Sequence, residues 1–147
     1  MSVLVDTNIL LRSAQPGHPL SSQATQAVAG LLKQNEAVYY CPQTIAEFWN
    51  VATRPADVNG LEFSAEEVLK EIETIEGLLT LLPDIPAIYP EWKRLVAQHG
   101  VRGVKVFDAR LAATANVYGV GRILTFNSGD FKRYSNITAL DPASLLL

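Results

Sequence analysis

A short apolar run, Val3-Leu4-Val5, passes without a spacer into Asp6-Thr7-Asn8. Such a run reads as a buried strand, and the acid, hydroxyl and amide stand where it ends. In open α/β sheets, ligands bind in the crevice beyond the carboxyl ends of the strands. Asp6 is therefore the first candidate for chemistry. The other acids matter according to whether the fold brings them to the same edge.

Three more stretches read as strands: residues 37–41, 122–126 and 137–140. Helical segments separate them. Residues 9–15 can form a short helix that Pro16-Gly17-His18-Pro19 breaks. Ser21 or Ser22 can cap the next helix, with Ala24, Val28, Leu31 and Leu32 on one face. Pro42 starts a helix to about Thr53, whose apolar side is Ile45, Phe48, Trp49 and Ala52, and Pro55 ends it. Ser64 and Glu67 have capping-box spacing. They open the most regular stripe in the chain, Val68, Leu69, Ile72, Ile75, Leu78, Leu79 and Leu82, which Pro83 stops. A further helix runs through Trp92, Leu95 and Val96 to Gly100. The basic loop Gly100-Val101-Arg102-Gly103-Val104-Lys105 leads into an alanine-rich helix over residues 107–118. Strands alternating with helices imply right-handed crossovers and a parallel sheet. At 147 residues, one domain spanning 1–147 is expected.

The net charge of −3 gives no strong global attraction to nucleic acid, but the charges are segregated. From Asp57 to Glu91 they are nearly all acidic; from Lys93 to Arg133 they are mostly basic. A basic segment can hold nucleic acid locally, and two solvated helix faces of opposite sign would give the same pattern. Cys41 is the only cysteine, so no internal disulfide forms. His18, His99 and Cys41 make no spaced zinc-ligand set. No signal peptide or membrane-spanning run is seen, and a cytoplasmic setting is expected. The tail, Leu145-Leu146-Leu147, could dock on the core or on a partner.

Asp6, Glu47, Asp108, Asn127 and Asp130 are singled out by placement. Each has a structural alternative. Asp6 could make an Asx turn. Thr44-Ile45-Ala46-Glu47 matches a capping box. Asp108 could cap a helix or favour its N-terminus. Asn127 and Asp130 could be turn residues. The conjunction points elsewhere. Glu47 lies among Ile45, Ala46, Phe48 and Trp49, so its helix is largely buried, and buried carboxylates need partners or a metal. Carboxylates brought together repel and raise one another's pKa, a conflict that a divalent cation removes. Oxygen ligands without histidine or cysteine favour Mg²⁺ or Mn²⁺, and such ions support hydrolysis of phosphodiesters.

Four stretches, in order, carry a family resemblance: Leu4-Val5-Asp6-Thr7-Asn8-Ile9-Leu10, Thr44-Ile45-Ala46-Glu47-Phe48, Phe107-Asp108-Ala109-Arg110-Leu111-Ala112-Ala113, and Leu124-Thr125-Phe126-Asn127-Ser128-Gly129-Asp130-Phe131. With them the chain resembles the PIN-domain ribonucleases found as VapC toxins of toxin–antitoxin pairs. The resemblance implies a three-layer α/β/α fold with a central, mainly parallel sheet of four to five strands. It also implies a Mg²⁺- or Mn²⁺-dependent endoribonuclease, RNA as substrate, a homodimer, and a small antitoxin that blocks the acidic site. By position, Asp6, Glu47 and Asp108 match the family's main acids and Thr7 its adjacent hydroxyl residue. Asn127 falls where many members carry a fourth acid. An amide there orients water or ligand but adds no charge, and Asp130, three residues on, is the candidate substitute. This departure leaves one metal ion or two open, and leaves a weakened nuclease open.

On this reading Asp6, Glu47 and Asp108 hold the metal, Asn127 joins them in catalysis, and Thr7 and Asp130 are accessory. Arg12, Lys105, Arg110, Lys132 and Arg133 are candidate RNA contacts, chosen only for their nearness in sequence to the acids. Tyr39, Tyr40 and Trp49 are read as core. Two rivals remain: a catalytically weak or inactive PIN-fold module that binds RNA or protein, and a phosphotransferase of the haloacid dehalogenase type. The latter usually carries Asp-x-Asp after its first strand, where this chain has Asp6-Thr7-Asn8.

Overall fold

The computed structural model describes residues 1–145. Five strands, β1 (Ser2–Val5), β2 (Ala37–Tyr40), β3 (Thr80–Leu81), β4 (Arg122–Leu124) and β5 (Thr138–Leu140), form one sheet in the order β3-β2-β1-β4-β5. Every pairing is parallel. Six helices connect or flank them: α1 (Thr7–Ser13), α2 (Ser21–Lys33), α3 (Pro42–Thr53), α4 (Ala65–Leu78), α5 (Ile88–His99) and α6 (Lys105–Val117). The expected α/β class with a parallel sheet of four to five strands is what forms.

Side chains of β1 alternate between two cores, as the period of a strand requires. Val3 and Val5 join Ile9, Leu31, Phe48, Val68 and Ile75 in one cluster. Leu4 joins Leu95, Leu111, Ile123 and Phe131 in the other. Helices α1 to α4 thus cover one face of the sheet, and α5 and α6 cover the other. Buried on both faces, β1 reads as an unbroken apolar run. Helix α6 buries Ala109, Ala112, Ala113 and Ala115. These small side chains let its backbone approach the sheet closely, which positions Asp108 at the sheet edge.

Several boundaries differ from the sequence reading. The stripe beginning at Val68 does not run as helix to Leu82. Helix α4 ends at Leu78, and Thr80–Leu81 forms the short edge strand β3 beside β2. Val68, Ile75, Leu79 and Leu82 are buried, whereas Leu69 and Leu78 stay half-exposed. An apolar stripe cannot reveal such a change, because Leu79 and Leu82 are buried in either conformation. Neither serine caps α2: Leu20 holds that position without a side-chain bond, and Ser21 is already helical. Ser64 and Glu67 do form the expected reciprocal box on α4. Helix α6 starts two residues before residue 107, after Gly103 turns the chain in the left-handed region at φ 57°. Tyr40 is buried, and Tyr39 and Trp49 pack against the cores. Leu146 and Leu147 of the apolar tail lie outside the described residues.

Phe48 is fully buried where α3 meets the sheet. Phe48→Ala is expected to lower unfolding free energy by about 3–5 kcal/mol, read as a lower urea midpoint with an unchanged slope.

Candidate functional site

The order β2-β1-β4 makes the C-terminal edge of β1 a switch point. The chain leaves β1 toward β2 on one side, while β4 lies on the other. Asp6 is the first residue past β1. Its N–H donates to Leu124 O of β4 at 2.9 Å, which extends the sheet by one bond. Its carboxylate caps α1, with Oδ1 accepting from Thr7 N–H at 2.7 Å. Oδ2 accepts from the Thr125 hydroxyl at 2.8 Å and from Asn8 Nδ2 at 3.4 Å. Asn8 also donates to Thr125 Oγ1 and accepts from Phe126 N–H. One oxygen thus caps the helix, as the Asx-turn alternative has it, and the other is held by Thr125 and Asn8.

Glu47 does not sit in a capping box. The box on α3 is made by Cys41 and Thr44, whose hydroxyl accepts from Cys41 N–H at 3.2 Å. Glu47 stands a turn further along. Its Oε1 accepts from the Thr7 hydroxyl and from Gln43 Nε2, both at 3.2 Å. Thr7 therefore links the first two acids, with its N–H on Asp6 and its hydroxyl on Glu47. Asp108 lies in the first turn of α6, where Val104 holds the cap position without a side-chain bond. Lys105 Nζ is 3.9 Å from Asp108 Oδ2 and 2.7 Å from Asp130 Oδ1.

The acids act on one another electrostatically. Asp6 is pushed up to about 6, first by burial and then by Glu47 and Asp130, against the bonds from Thr125 and Thr7. Asp108 also rises to about 6, through burial, Asp6 and Asp130, while Lys105 and Arg133 oppose the shift. Glu47 is raised by burial and by Asp108, with the Gln43 and Thr7 bonds opposing. Like charges held together disfavour their own ionisation, and such groups titrate as a set. Among the described residues, no three acids converge on a single point as a finished cage. The donor set is all oxygen, the kind that hard divalent cations take, and such ions can bind through one or two carboxylates and keep several waters. Glu47 Oε2 and both oxygens of Asp108 accept no hydrogen bond among the described residues.

The other candidates divide. Asn127 is exposed beside the crevice; its N–H donates to Thr125 Oγ1, and its carbonyl accepts from Asp130 N–H. Asp130 lies in the short 3₁₀ turn Ser128–Phe131 and acts electrostatically on both Asp6 and Asp108. Its carboxylate is paired with Lys105. Arg110 is held between Gln43 Oε1 at 3.1 Å and Asp84 Oδ1 at 3.2 Å. Arg133 acts on Asp108. Arg12 turns instead to Gln15, and no hydrogen bond or ion pair among the described residues ties Lys132 to the acids. Sequence reasoning missed Thr125 and Gln43. Thr125 carried a signal, a hydroxyl inside an apolar run. Gln43 carried a weaker one, an amide four residues before Glu47 on the same helix face.

The PIN domain profile matches residues 3–137. The chain belongs to the PIN domain family. No curated protein matches it in sequence. Among solved structures, this PIN domain is similar to the DNA-bound VapBC of Salmonella typhimurium, at TM-score 0.70 and 18% identity, covering 97% of this chain and 98% of that one. VapBC-1 of nontypeable Haemophilus influenzae matches at TM-score 0.69 and 17% identity, covering 97% and 99%. VapC20 of Mycobacterium tuberculosis, a toxin that cleaves the sarcin–ricin loop, matches at TM-score 0.62 and 12% identity, covering 82% and 86%. At these identities the likeness is one of fold. PIN domains and VapC toxins are generally nucleases.

The raised acids set the pH dependence of stability. Their folded-state values lie above the unfolded ones, so between about pH 4 and 6 the native state holds more protons. Stability therefore falls as pH rises through that window, and the full cost of ionisation is felt at neutral pH. Asp6→Asn is expected to raise stability at pH 7 by on the order of 1–2 kcal/mol and to flatten its dependence from pH 4 to 7. Urea unfolding at several pH values without divalent ions reads both effects.

Proposed function

We propose that this PIN domain is a metal-dependent endoribonuclease acting as the toxin of a toxin–antitoxin pair. The observation that carries the reading is the electrostatic convergence of Asp6, Glu47 and Asp108 at the switch point of the sheet. Three carboxylates from three elements, each raised first by burial and then by another of the set, carry a cost in the ionised state that a bound cation would offset. In this reading Asp6 and Asp108 hold a Mg²⁺ or Mn²⁺ ion, and Glu47 supports it directly or through water. The ion supplies Lewis acidity for hydrolysis of an RNA phosphodiester.

The chain's own groups do the rest. Thr7 N–H and the Thr125 hydroxyl fix both oxygens of Asp6, so its carboxylate cannot rotate out of the crevice. Thr7 and Gln43 orient Glu47 through Oε1 and leave Oε2 pointing free. In this reading Asp130 provides the fourth negative group, partly neutralised by Lys105, and the Asn127 amide orients water or a phosphate oxygen. Arg110, Arg133 and Lys105 form the cationic rim for the backbone. Arg12 and Lys132 have no such support.

The partner in this reading is a small antitoxin that covers the acids. Several similar structures are VapBC toxin–antitoxin complexes. An apolar groove of about 240 Å³ runs between α2 and α4, with Leu32 and Leu78 on its walls, and offers such a partner surface to cover. A homodimer belongs to the same reading. No helix among the described residues is long and apolar enough to cross a membrane.

Purified protein is expected to cut a mixed RNA pool with Mg²⁺ or Mn²⁺ and to stop with EDTA. Asp6→Asn and Asp108→Asn are each expected to lower the rate at least a hundredfold while remaining folded. Metal and RNA binding without any cutting would transfer the case to the binding-module reading, with Asn127→Asp as the variant that restores or fails to restore activity.

A further inference from the structure

The amide of Gln43 has its orientation forced from three sides. A guanidinium carries donors only, and Arg110 Nη1 donates to Gln43 Oε1 at 3.1 Å. The amide nitrogen therefore turns the other way. There Nε2 meets two acceptors, Glu47 Oε1 at 3.2 Å and Phe107 O at 2.8 Å. Turned over, the amide would set donor against donor at Arg110 and oxygen against oxygen at both other contacts. Arg110 is itself held from its far side, where Nη2 donates to Asp84 Oδ1 at 3.2 Å. A continuous line of bonds thus runs from Asp84, in the loop between β3 and α5, through Arg110 of α6 and Gln43 of α3 to Glu47.

As an ion pair, Asp84 and Arg110 are open to water, with side chains 48% and 33% exposed, and exposed pairs contribute little to stability. The geometric consequence is larger. The fork of a guanidinium is planar and rigid, so the contact with Asp84 fixes the direction of the N–H that meets Gln43. Two acids depend on that amide. Glu47 has Oε1 taken by Gln43 and Thr7, which leaves Oε2 for another partner. Phe107 O belongs to the peptide that leads into Asp108, so the other Gln43 bond ties α3 to the first turn of α6. One amide therefore sets both how Glu47 is turned and how far α3 stands from Asp108. We propose that Arg110 is a positioning residue of the acid site: it locks the Gln43 amide, and through that amide holds Glu47 and Asp108 in the arrangement that receives the divalent ion. This role is separate from its place on the rim. It rests on the nuclease reading and adds the support that keeps the acids in place.

The sign of one effect separates positioning from simple electrostatics. The charge of Arg110 reaches Glu47, and a cation beside the acids repels a metal ion, so on charge alone its removal tightens metal binding. Removal of a positioning residue weakens it. The experiment is calorimetric titration of Mn²⁺ into the full chain, as wild type, Arg110→Met, Gln43→Met and the double variant, each shown to be folded by circular dichroism. Methionine keeps an unbranched stem and offers no N–H. Gln43→Met changes no charge, so a loss in that variant cannot be electrostatic. Each single variant is expected to bind Mn²⁺ about tenfold or more weakly, the loss typical of groups that orient a metal ligand. The double variant is expected to be no weaker than Gln43→Met, because both changes act through the same amide. Unchanged or tighter Mn²⁺ binding by Arg110→Met would overturn the inference, even if RNA binding in EDTA falls. So would losses that add in the double variant, or a lower urea midpoint with unchanged Mn²⁺ affinity, which would make the line of bonds a brace for the fold. In each of those cases wild-type Mn²⁺ binding leaves the metal-dependent reading standing. A wild type that binds no Mn²⁺ removes both.

Discussion

The geometry of the site depends on one buried carboxylate. Asp6 stands where β1 ends, between the parallel strands β2 and β4, beyond which the sheet continues on one side to β3 and on the other to β5. Its position is fixed three times over: by its own N–H on Leu124, by the Thr7 N–H on Oδ1, and by the Thr125 hydroxyl on Oδ2. Burial raises its pKa in spite of these bonds. A charge-disfavouring position that is nonetheless rigidly held differs from an ordinary helix cap, which is solvated and costs little. Each further acid adds to the repulsion, and Thr7 couples two of them through a single residue.

The fold serves that arrangement through its two cores. Val3 and Val5 lock β1 against α1 to α4, and Leu4 locks it against α5 and α6. The carboxylates therefore come from elements anchored in different layers: Asp6 from the strand end, Glu47 from the α3 face, and Asp108 from the first turn of α6. The alanines of α6 bring that helix close enough for Asp108 to feel Asp6. At the opposite edge of the sheet, Arg122 pairs with Glu36 at 2.6 Å and donates to Ser2 O. That pairing ties the start of β4 to β1 and so holds the register that places Asp6 beside Thr125.

Much of this was legible in the sequence, because burial leaves periodic marks. The opening run gave β1, Pro42 gave the start of α3, and Ser64 with Glu67 gave the start of α4. The four ordered motifs pointed to the PIN domain family, to which the chain belongs. Other features were hidden for physical reasons. Strand β3 is two residues long and merges with the apolar stripe of the preceding helix. The support given by Thr125 and Gln43 crosses between elements, and no local spacing encodes a contact of that kind. The capping-box alternative for Glu47 does not form: Thr44 and Glu47 have the right spacing, but Cys41 occupies the cap and pairs with Thr44. The five basic candidates were chosen by sequence proximity alone, and Arg12 bonds Gln15 one turn further along the chain.

The central claim is that the repulsion among Asp6, Glu47 and Asp108 exists to receive a divalent ion. Calorimetric titration of Mn²⁺ into the apo protein at pH 6, in two buffers of different ionisation enthalpy, tests it most directly. Carboxylates that hold protons near pH 6 must release them when a metal binds. The account predicts release of about one proton per Mn²⁺ at pH 6, no release by pH 7.5, and loss of binding in both Asp6→Asn and Asp108→Asn. Failure to bind Mn²⁺ at either pH, or binding that survives both substitutions, would contradict it.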